Sequence, residues 1–420
     1  SIITKDQVAA AKKKGWTVYD ENTWEYEGSN PDDVLVNALY FPDKDFRHWV
    51  SRNADLNSDL ILTKYELEAV KRIHLAYWPA LWFYNLPGRV VSLKGIEFFT
   101  ELTYLNCSAE YVENNNPFYE YNANVLTELD LSKNTKLDTL ICTNNQLTTL
   151  DLRNNTALKY LNCYNNMLHE LDLSNCKELE ELVCSYNQMQ TLDVSKNAKL
   201  KELFSYQMGL STLNLQNPEL ETIYCEYNEL TTIDVSKCPA LNYLHCDNNQ
   251  LTSIDVSKNP KLKQLECSKN QLTTIDVSNN PKLKQLECSK NQLTTIDVSN
   301  NPDLKYFDCS HNQLKELDLS SNPELHALDC YNNQLEELDL SDCPEIERLY
   351  CFCNKIALMS MVRLISSLPV NWGELRVWFN SAAEGNSCSR IQVAAAKKKG
   401  WKVYYNRRSE ERRVGKECRS

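Results

Sequence analysis

The chain has 420 residues, 42% hydrophobic and 24% charged, with a formal net charge of −12, 17 Cys and only 9 Gly. That length is ample for a buried core, while the acidic balance excludes a nucleic-acid binder, which needs a basic face. The glycines form no GxGxxG or GxxxxGKS/T and no run of about 18 apolar residues occurs, which excludes the usual nucleotide loops and a membrane-inserted helix.

Residues 1–28 contain Gln7 to Trp16, QVAAAKKKGW, and the same ten letters return at Gln392 to Trp401. The second copy follows a repeat array and reads as its closing cap. Residues 1–28 are therefore expected to be the closing cap of an earlier array, and the chain a piece of a longer tandem protein.

Residues 29–99 read as a helical opening cap, which a repeat array needs over its first coil. Asp43 to about Lys71 has the pattern helix, loop, helix. Its loop places Asp55, Asn57 and Asp59 at alternate positions, then the Ile61 carbonyl, then Glu66 in twelfth place. That is the calcium-loop spacing, and short oxygen ligands closed by a glutamate suit a hard cation. Leu60 stands where Gly belongs, at a position that favours a left-handed backbone. Two readings stay open: a calcium loop, or a cap that keeps this shape without an ion, so no cofactor is required. Trp78, Trp82, Phe83 and Tyr84 are expected to pack over the first coil, with a sugar-stacking patch as the alternative.

Residues 100–355 are a repeat array. Lys261 to Pro281, KLKQLECSKNQLTTIDVSNNP, is repeated without change at Lys282 to Pro302, a period of 21 residues. Around this pair LxxLxCxxNxLxxLDLSxN recurs from about Leu102 to Asn354. A period of about 20–29 residues means a solenoid. Each LxC should form a short parallel strand with Leu and Cys inward. The Asn three places after Cys (Asn145, Asn166, Asn187, Asn228, Asn249, Asn270) should turn the chain and satisfy open backbone groups. Asn155, Cys176, Asn197 and Cys238 should close the other half of the coil. The LDLS half is also period-two and should be a second strand or an extended run. Residues 109–122 (AEYVENNNPFYEYN) form an insertion and a candidate contact loop.

Eleven cysteines occupy one column: Cys107, Cys142, Cys163, Cys184, Cys225, Cys246, Cys267, Cys288, Cys309, Cys330 and Cys351, with Ser205 in the place between Cys184 and Cys225. Each replaces an apolar residue, so a small buried hydrophobe is the expected role. Parallel side chains in register lack the torsion for a disulfide, and no CxxC pair points to zinc. Cys353 and Cys388 remain as candidates for one bridge.

Residues 356–407 should be the closing cap: a helix over Ala357 to Leu368 ended by Pro369, a strand over Leu375 to Phe379, a helix over Arg390 to Lys399, and a strand from Trp401 to Tyr405. Residues 408–420, RSEERRVGKECRS, back-translate onto a common sequencing adapter and are read as a translated artefact. Setting them aside takes the net charge from −12 to −14, because they carry five basic and three acidic residues.

Comparing repeats within the chain separates scaffold from surface. Asp151, Asp172, Asp193, Asp234, Asp255, Asp276, Asp297, Asp318 and Asp339 form a constant column. Scaffold duty through bonds to nearby Ser and Thr is expected there, with an acidic metal-binding ridge as the lesser reading. The outward positions beside LxC vary instead. They carry Tyr160, Tyr243 and Tyr306; then Phe204, Tyr224, His245, Glu266, Glu287, Asp308, Asp329 and Tyr350; and, after Cys, Tyr164, Tyr206, Glu226, Asp247 and Tyr331. If they line a concave sheet, they are the ligand-binding residues, since exposed aromatics on a rigid sheet supply contact area at low entropy cost. The alternative is that they tile the sheet by strand propensity.

LxxLxCxxNxL matches the leucine-rich-repeat core with Cys in place of one Leu. From about Asn30 to Asn406 the chain resembles the internalin-like bacterial leucine-rich-repeat proteins, in the cysteine-ladder subclass with 21-residue repeats; similar arrays occur in surface proteins of Bacteroidetes. The resemblance implies a leucine-rich-repeat solenoid with a parallel β-sheet on the concave face, short extended or second-strand segments opposite, a helical N-terminal cap and an α/β C-terminal cap. It implies a secreted or cell-surface binding module rather than an enzyme. None of the six His stands in a metal or triad spacing. The expected partner is a protein met by a monomeric module, without nucleic acid or membrane insertion. A glycan-binding module and a structural spacer are the alternatives.

Overall fold

The computed structural model describes residues 33–75, 90–109, 125–370, 373–377 and 385–404. The repeated segment near the start, Trp78, Trp82, Phe83 and Tyr84, the insertion beyond Ala109, and residues 408–420 lie outside the described residues. The chain divides into two compact units, residues 1–179 and 180–420.

The first unit opens with the cap. Helix Lys44–Asn53 starts where it does because Asp43 Oδ1 accepts the N–H groups of Asp45 and Phe46 at 2.9 and 2.8 Å. The other oxygen of Asp43 takes the N–H of Val91 at 2.8 Å, fixing the helix to the segment that leads into the coils. Phe46, Trp49 and Val50 are buried at helical spacing, and Phe46 meets Phe41 edge-on at 5.9 Å. Gly95 lies at φ +105, where a Cβ would fall 2.3 Å from the Phe41 ring, so this crossing admits only glycine. Parallel strands follow at Arg72–His74, Tyr104–Asn106, Thr139–Ile141 and Tyr160–Asn162. The earliest of them lies inside the segment read as cap from the sequence.

The second unit stacks parallel strands in register: Glu181–Val183, Glu202–Phe204, Thr222–Tyr224, Tyr243–His245, Gln264–Glu266, Gln285–Glu287, Tyr306–Asp308, Ala327–Asp329, Arg348–Tyr350, Glu374–Arg376 and Lys402–Tyr404. The middle residue of each points inward, and Leu244, Leu265, Leu286 and Phe307 are fully buried. The ladder cysteines are buried as well, and all the described cysteines are thiols, Cys353 and Cys388 included. No bridge forms between those two. The thiol also closes a bond that Val could not: Cys225 Sγ donates to the His245 carbonyl at 3.4 Å and Cys246 Sγ to that of Glu266 at 3.3 Å. Ser205 fits the same column because its hydroxyl donates to the Tyr224 carbonyl at 3.4 Å.

Two asparagine ladders close the coils. Asn270 donates to the Cys246 and Cys267 carbonyls at 3.0 and 3.1 Å and accepts the Leu251 N–H at 2.9 Å, and Asn249, Asn291 and Asn312 repeat the pattern. The residue held in the left-handed region is its predecessor: Asn248, Lys269, Lys290 and His311 have φ between 52 and 55. The Asn therefore braces a corner that the residue before it turns. In the second ladder Asn280 only donates, to the Val256 and Asn259 carbonyls at 3.0 and 2.9 Å; its Oδ1 has no partner among the described residues. A thiol can replace such a residue, and Cys343 Sγ does so toward the Leu319 carbonyl at 3.6 Å.

The LDLS half forms paired strands only at Thr191–Asp193 with Thr212–Asn214, plus a bridge between Asp255 and Asp276; elsewhere among the described coils it runs without strand pairing. Its aspartates act as scaffold. Oδ1 of Asp172, Asp193, Asp234, Asp255, Asp276, Asp297, Asp318 and Asp339 accepts the N–H of the Ser two places on at 2.9 Å. Asp151 does so toward Arg153.

The closing cap has helices Leu358–Ser367 and Arg390–Lys398, the second opened by reciprocal bonds between Ser389 and Gln392. Strand Glu374–Arg376 begins one residue before the expected start. Trp401 is buried with its indole N–H on the Pro369 carbonyl at 2.9 Å.

Candidate functional site

In the second unit, strand alternation sends the first and third residues of each strand outward, so one side-chain column runs through successive coils. Phe204 and Tyr224 stack with centroids 5.0 Å apart and planes 10° apart, and the His245 ring follows at 4.2 Å from Tyr224. The next coil replaces the ring by a carboxylate: His245 Nδ1 stands 3.0 Å from Glu266 Oε2. Gln264 donates to Glu266, and Gln285 donates to Glu266 at 3.1 Å and to Glu287 at 2.7 Å. Asp308 follows, accepting the Ser310 N–H at 2.9 Å. Asp329 then pairs with Arg348 at 3.2 Å.

The column after Cys runs beside it. Tyr206, Glu226 and Asp247 occupy consecutive coils, and Asp247 accepts the Ser268 N–H at 2.6 Å. Further on, Tyr331 and Phe352 stack at 4.4 Å. Tyr243 is exposed, whereas Phe204, Tyr206, Tyr224, Glu226 and Asp247 are half-buried and His245 is buried. Tyr160 and Tyr164, half-buried, belong to the first unit.

Crowding of carboxylates at half-buried positions shapes their charge. Burial, then the neighbouring Glu266, pushes the Asp247 carboxyl up to about 7. Burial raises Glu226, and burial with Glu266 raises Glu287. Burial would raise Glu266 too, but its bonds to His245 and Gln264 outweigh that and hold it below the usual range. Burial pushes Asp329 up to about 6 against the opposing pull of Arg348.

At the far end the chain supplies its own cations. The Arg348 guanidinium lies over Tyr306 at 4.9 Å and Tyr350 at 5.5 Å, and that of Arg376 over Tyr350 at 4.6 Å and Tyr404 at 5.0 Å. Tyr350 donates to Glu374 at 2.5 Å. Arg348, Arg376 and Tyr404 were missed from sequence. Their signal was register, since Arg348 sits two coils after Tyr306 at the same strand position.

The cap loop is closed by its own hydrogen bonds. Asp55 accepts the N–H groups of Asp59 and Leu60 at 3.2 and 2.9 Å, Asn57 that of Asp59 at 3.1 Å, and Asp59 that of Ile61 at 2.8 Å. Glu66 takes the Leu56 N–H at 2.9 Å and both the N–H and hydroxyl of Thr63 at 2.8 Å. Burial raises Glu66, yet the Thr63 bonds prevail and lower it. Leu60 adopts φ 62, the left-handed conformation that position demands. Among the described residues no three His, Cys, Asp or Glu side chains gather for a metal ion. These bonds tie Asp55, Asn57, Asp59, Ile61 and Glu66 into one loop, compatible with either reading of the cap.

A model of two leucine-rich-repeat copies matches residues 218–259. The functional domain of InlJ from Listeria monocytogenes, which includes a cysteine ladder, is 29% identical, covers 82% of each chain and has a TM-score of 0.54. The fold is a leucine-rich-repeat solenoid. An internalin, InlF, from Listeria monocytogenes is 21% identical with a TM-score of 0.59 over 88% of this chain and 97% of its own. A leucine-rich-repeat protein of Leptospira interrogans is 21% identical with a TM-score of 0.61 over 75% of this chain and 81% of its own. No curated protein matches in sequence. Solenoids of this internalin-like kind are typically protein-binding scaffolds. No helix among the described residues is long and apolar enough to cross a membrane.

Proposed function

We propose that the chain is a non-catalytic binding module of a secreted or cell-surface protein, recognising a protein ligand through the aromatic and acidic outer face of its sheet. One observation carries the reading: the continuous row Phe204, Tyr224, His245, Glu266 offers a ridge of stacked rings ending in a carboxylate where the repeats vary, while the Asn, Cys and Asp columns that build the coil stay nearly constant. Rigid stacked rings bury area at little entropic cost, which is how interface anchors work. Side by side, a protein array and a glycan array test it. Protein signals abolished by Phe204→Ala with Tyr224→Ala are expected. Signals on glycans alone would move the reading to a sugar-binding module, and silence on both would leave a spacer.

A further inference from the structure

Resting on that reading, we infer that the partner segment is basic: an arginine side chain of the protein ligand docks against the Tyr224–His245 stack, its guanidinium held by Glu226, Asp247 and Glu266. Three independent features meet there.

The first is unsatisfied hydrogen bonding. Glu226 Oε2 and His245 Nε2 are buried and have no hydrogen-bond partner among the described residues. His245 is only 9% exposed. In the neutral ring, with Nδ1–H donating to Glu266, Nε2 is left as an acceptor. Both orphans therefore ask for a donor. Arginine presents five N–H donors in a fork and no acceptor. A phosphate, a carboxylate or a nucleic-acid backbone supplies the opposite pattern.

The second is charge. The outward columns of these coils carry Glu226, Asp247, Glu266, Glu287 and Asp308 in succession, and the first cation in those columns after His245 is Arg348. The lysines of the same coils flank the strands, Lys263 with its ammonium 5.9 Å from the Tyr243 ring and Lys269 5.9 Å from that of Tyr227.

The third is an internal precedent. Downstream, Arg348 places its guanidinium over Tyr306 and Tyr350 while its Nη2 pairs with Asp329. That is ring faces plus carboxylate, filled by an arginine. Upstream, Phe204, Tyr224 and His245 stack on one another beside Glu226 and Glu266, so rings and carboxylates again adjoin, here with ring edges outward and no arginine of their own. A charge-assisted fork to the carboxylates, with the flat guanidinium lying beside the stacked rings, is the contact such a place offers.

The test uses the full chain and fluorescent hexa-arginine, hexa-lysine and hexa-glutamate peptides, plus a glucosamine hexamer as a cationic sugar. Hexa-arginine should bind several-fold more tightly than hexa-lysine. Glu226→Gln with Glu266→Gln should weaken it about tenfold, as losing a desolvated charge pair does. Asp255→Asn with Asp276→Asn removes equal charge from exposed positions of the LDLS half, keeps the turn acceptors, and should change binding less than about twofold. Tyr224→Leu, which leaves every carboxylate in place but removes the flat ring that His245 stacks on, should lessen the preference for arginine over lysine. Equal losses in the two double variants would reduce the effect to net charge and overturn the inference. Tighter binding of hexa-glutamate or of the glucosamine hexamer would overturn it too. If arrayed proteins are captured through Phe204 and Tyr224 while hexa-arginine is ignored, the inference falls and the protein-binding reading stands.

Discussion

Asp247 is half-buried and faced by Glu266, Glu287 and His245, and its carboxyl is pushed up from 3.8 to about 7. The folded state therefore holds a proton that the unfolded chain gives up between about pH 4 and 7, so stability falls as pH rises through that window. Asp247→Asn keeps the acceptor for the Ser268 N–H and removes the charge. The variant should be more stable than the parent by about 2–4 kcal/mol at pH 8, the upper figure being the full effect and the lower allowing for solvent screening, and by less than about 1 kcal/mol at pH 4. Urea unfolding at the two pH values checks this; an equal difference at both would contradict it. Lys290 illustrates what sequence could not show at this scale. It sits at φ 55, yet nothing in the letters KN distinguishes the corner from the brace, and the glycine usual at such corners is absent. Lys290→Gly should therefore stabilise the chain by about 0.5–1 kcal/mol, the left-handed strain outweighing the added chain entropy. A thermal melt decides the sign. The constant Asp column, by contrast, was legible, because a turn that needs a side-chain acceptor in every coil repeats its residue in every coil.

At the level of the coil, the two asparagine ladders look alike in sequence and differ in chemistry. Asn270 both donates and accepts, so Asn270→Ala strands two carbonyls and an N–H and should cost about 3 kcal/mol. Asn280 only donates, and the chain itself puts Cys in that column, so Asn280→Cys should cost less than about 1 kcal/mol. Equal costs would refute the distinction. The cysteine ladder was readable as packing because its spacing is that of the coil. Burial pushes the Cys107 and Cys163 thiols up to about 12, so the ladder should resist alkylation at pH 8 in the folded chain and react fully after unfolding, with half-buried Cys388 the first of the described thiols to go. Mass spectrometry reads the order. The strand at Arg72–His74 escaped the sequence reading because its coil carries neither the Cys nor the Asn that marks the others.

For the molecule as a whole, period and residue type determined the solenoid, since a 21-residue repeat with inward Leu and Cys can bury its core only by stacking. The face was half legible. Outward columns followed from strand alternation, and with them Phe204, Tyr224, His245 and Glu266. That these residues form one continuous stack ending in a carboxylate required the register, and of the arginines further along the sheet Arg348 lies on the last repeat and Arg376 on a strand of the closing cap. The central claim is that this outer face, not the LDLS half, meets a protein partner. The most direct measurement compares affinity for a protein captured on the array between Phe204→Ala with Tyr224→Ala and the LDLS-half variant Asp255→Asn with Asp276→Asn. The account predicts a loss of at least about tenfold for the first pair and less than about twofold for the second. Unchanged affinity for the first pair, or equal loss in both, would contradict it.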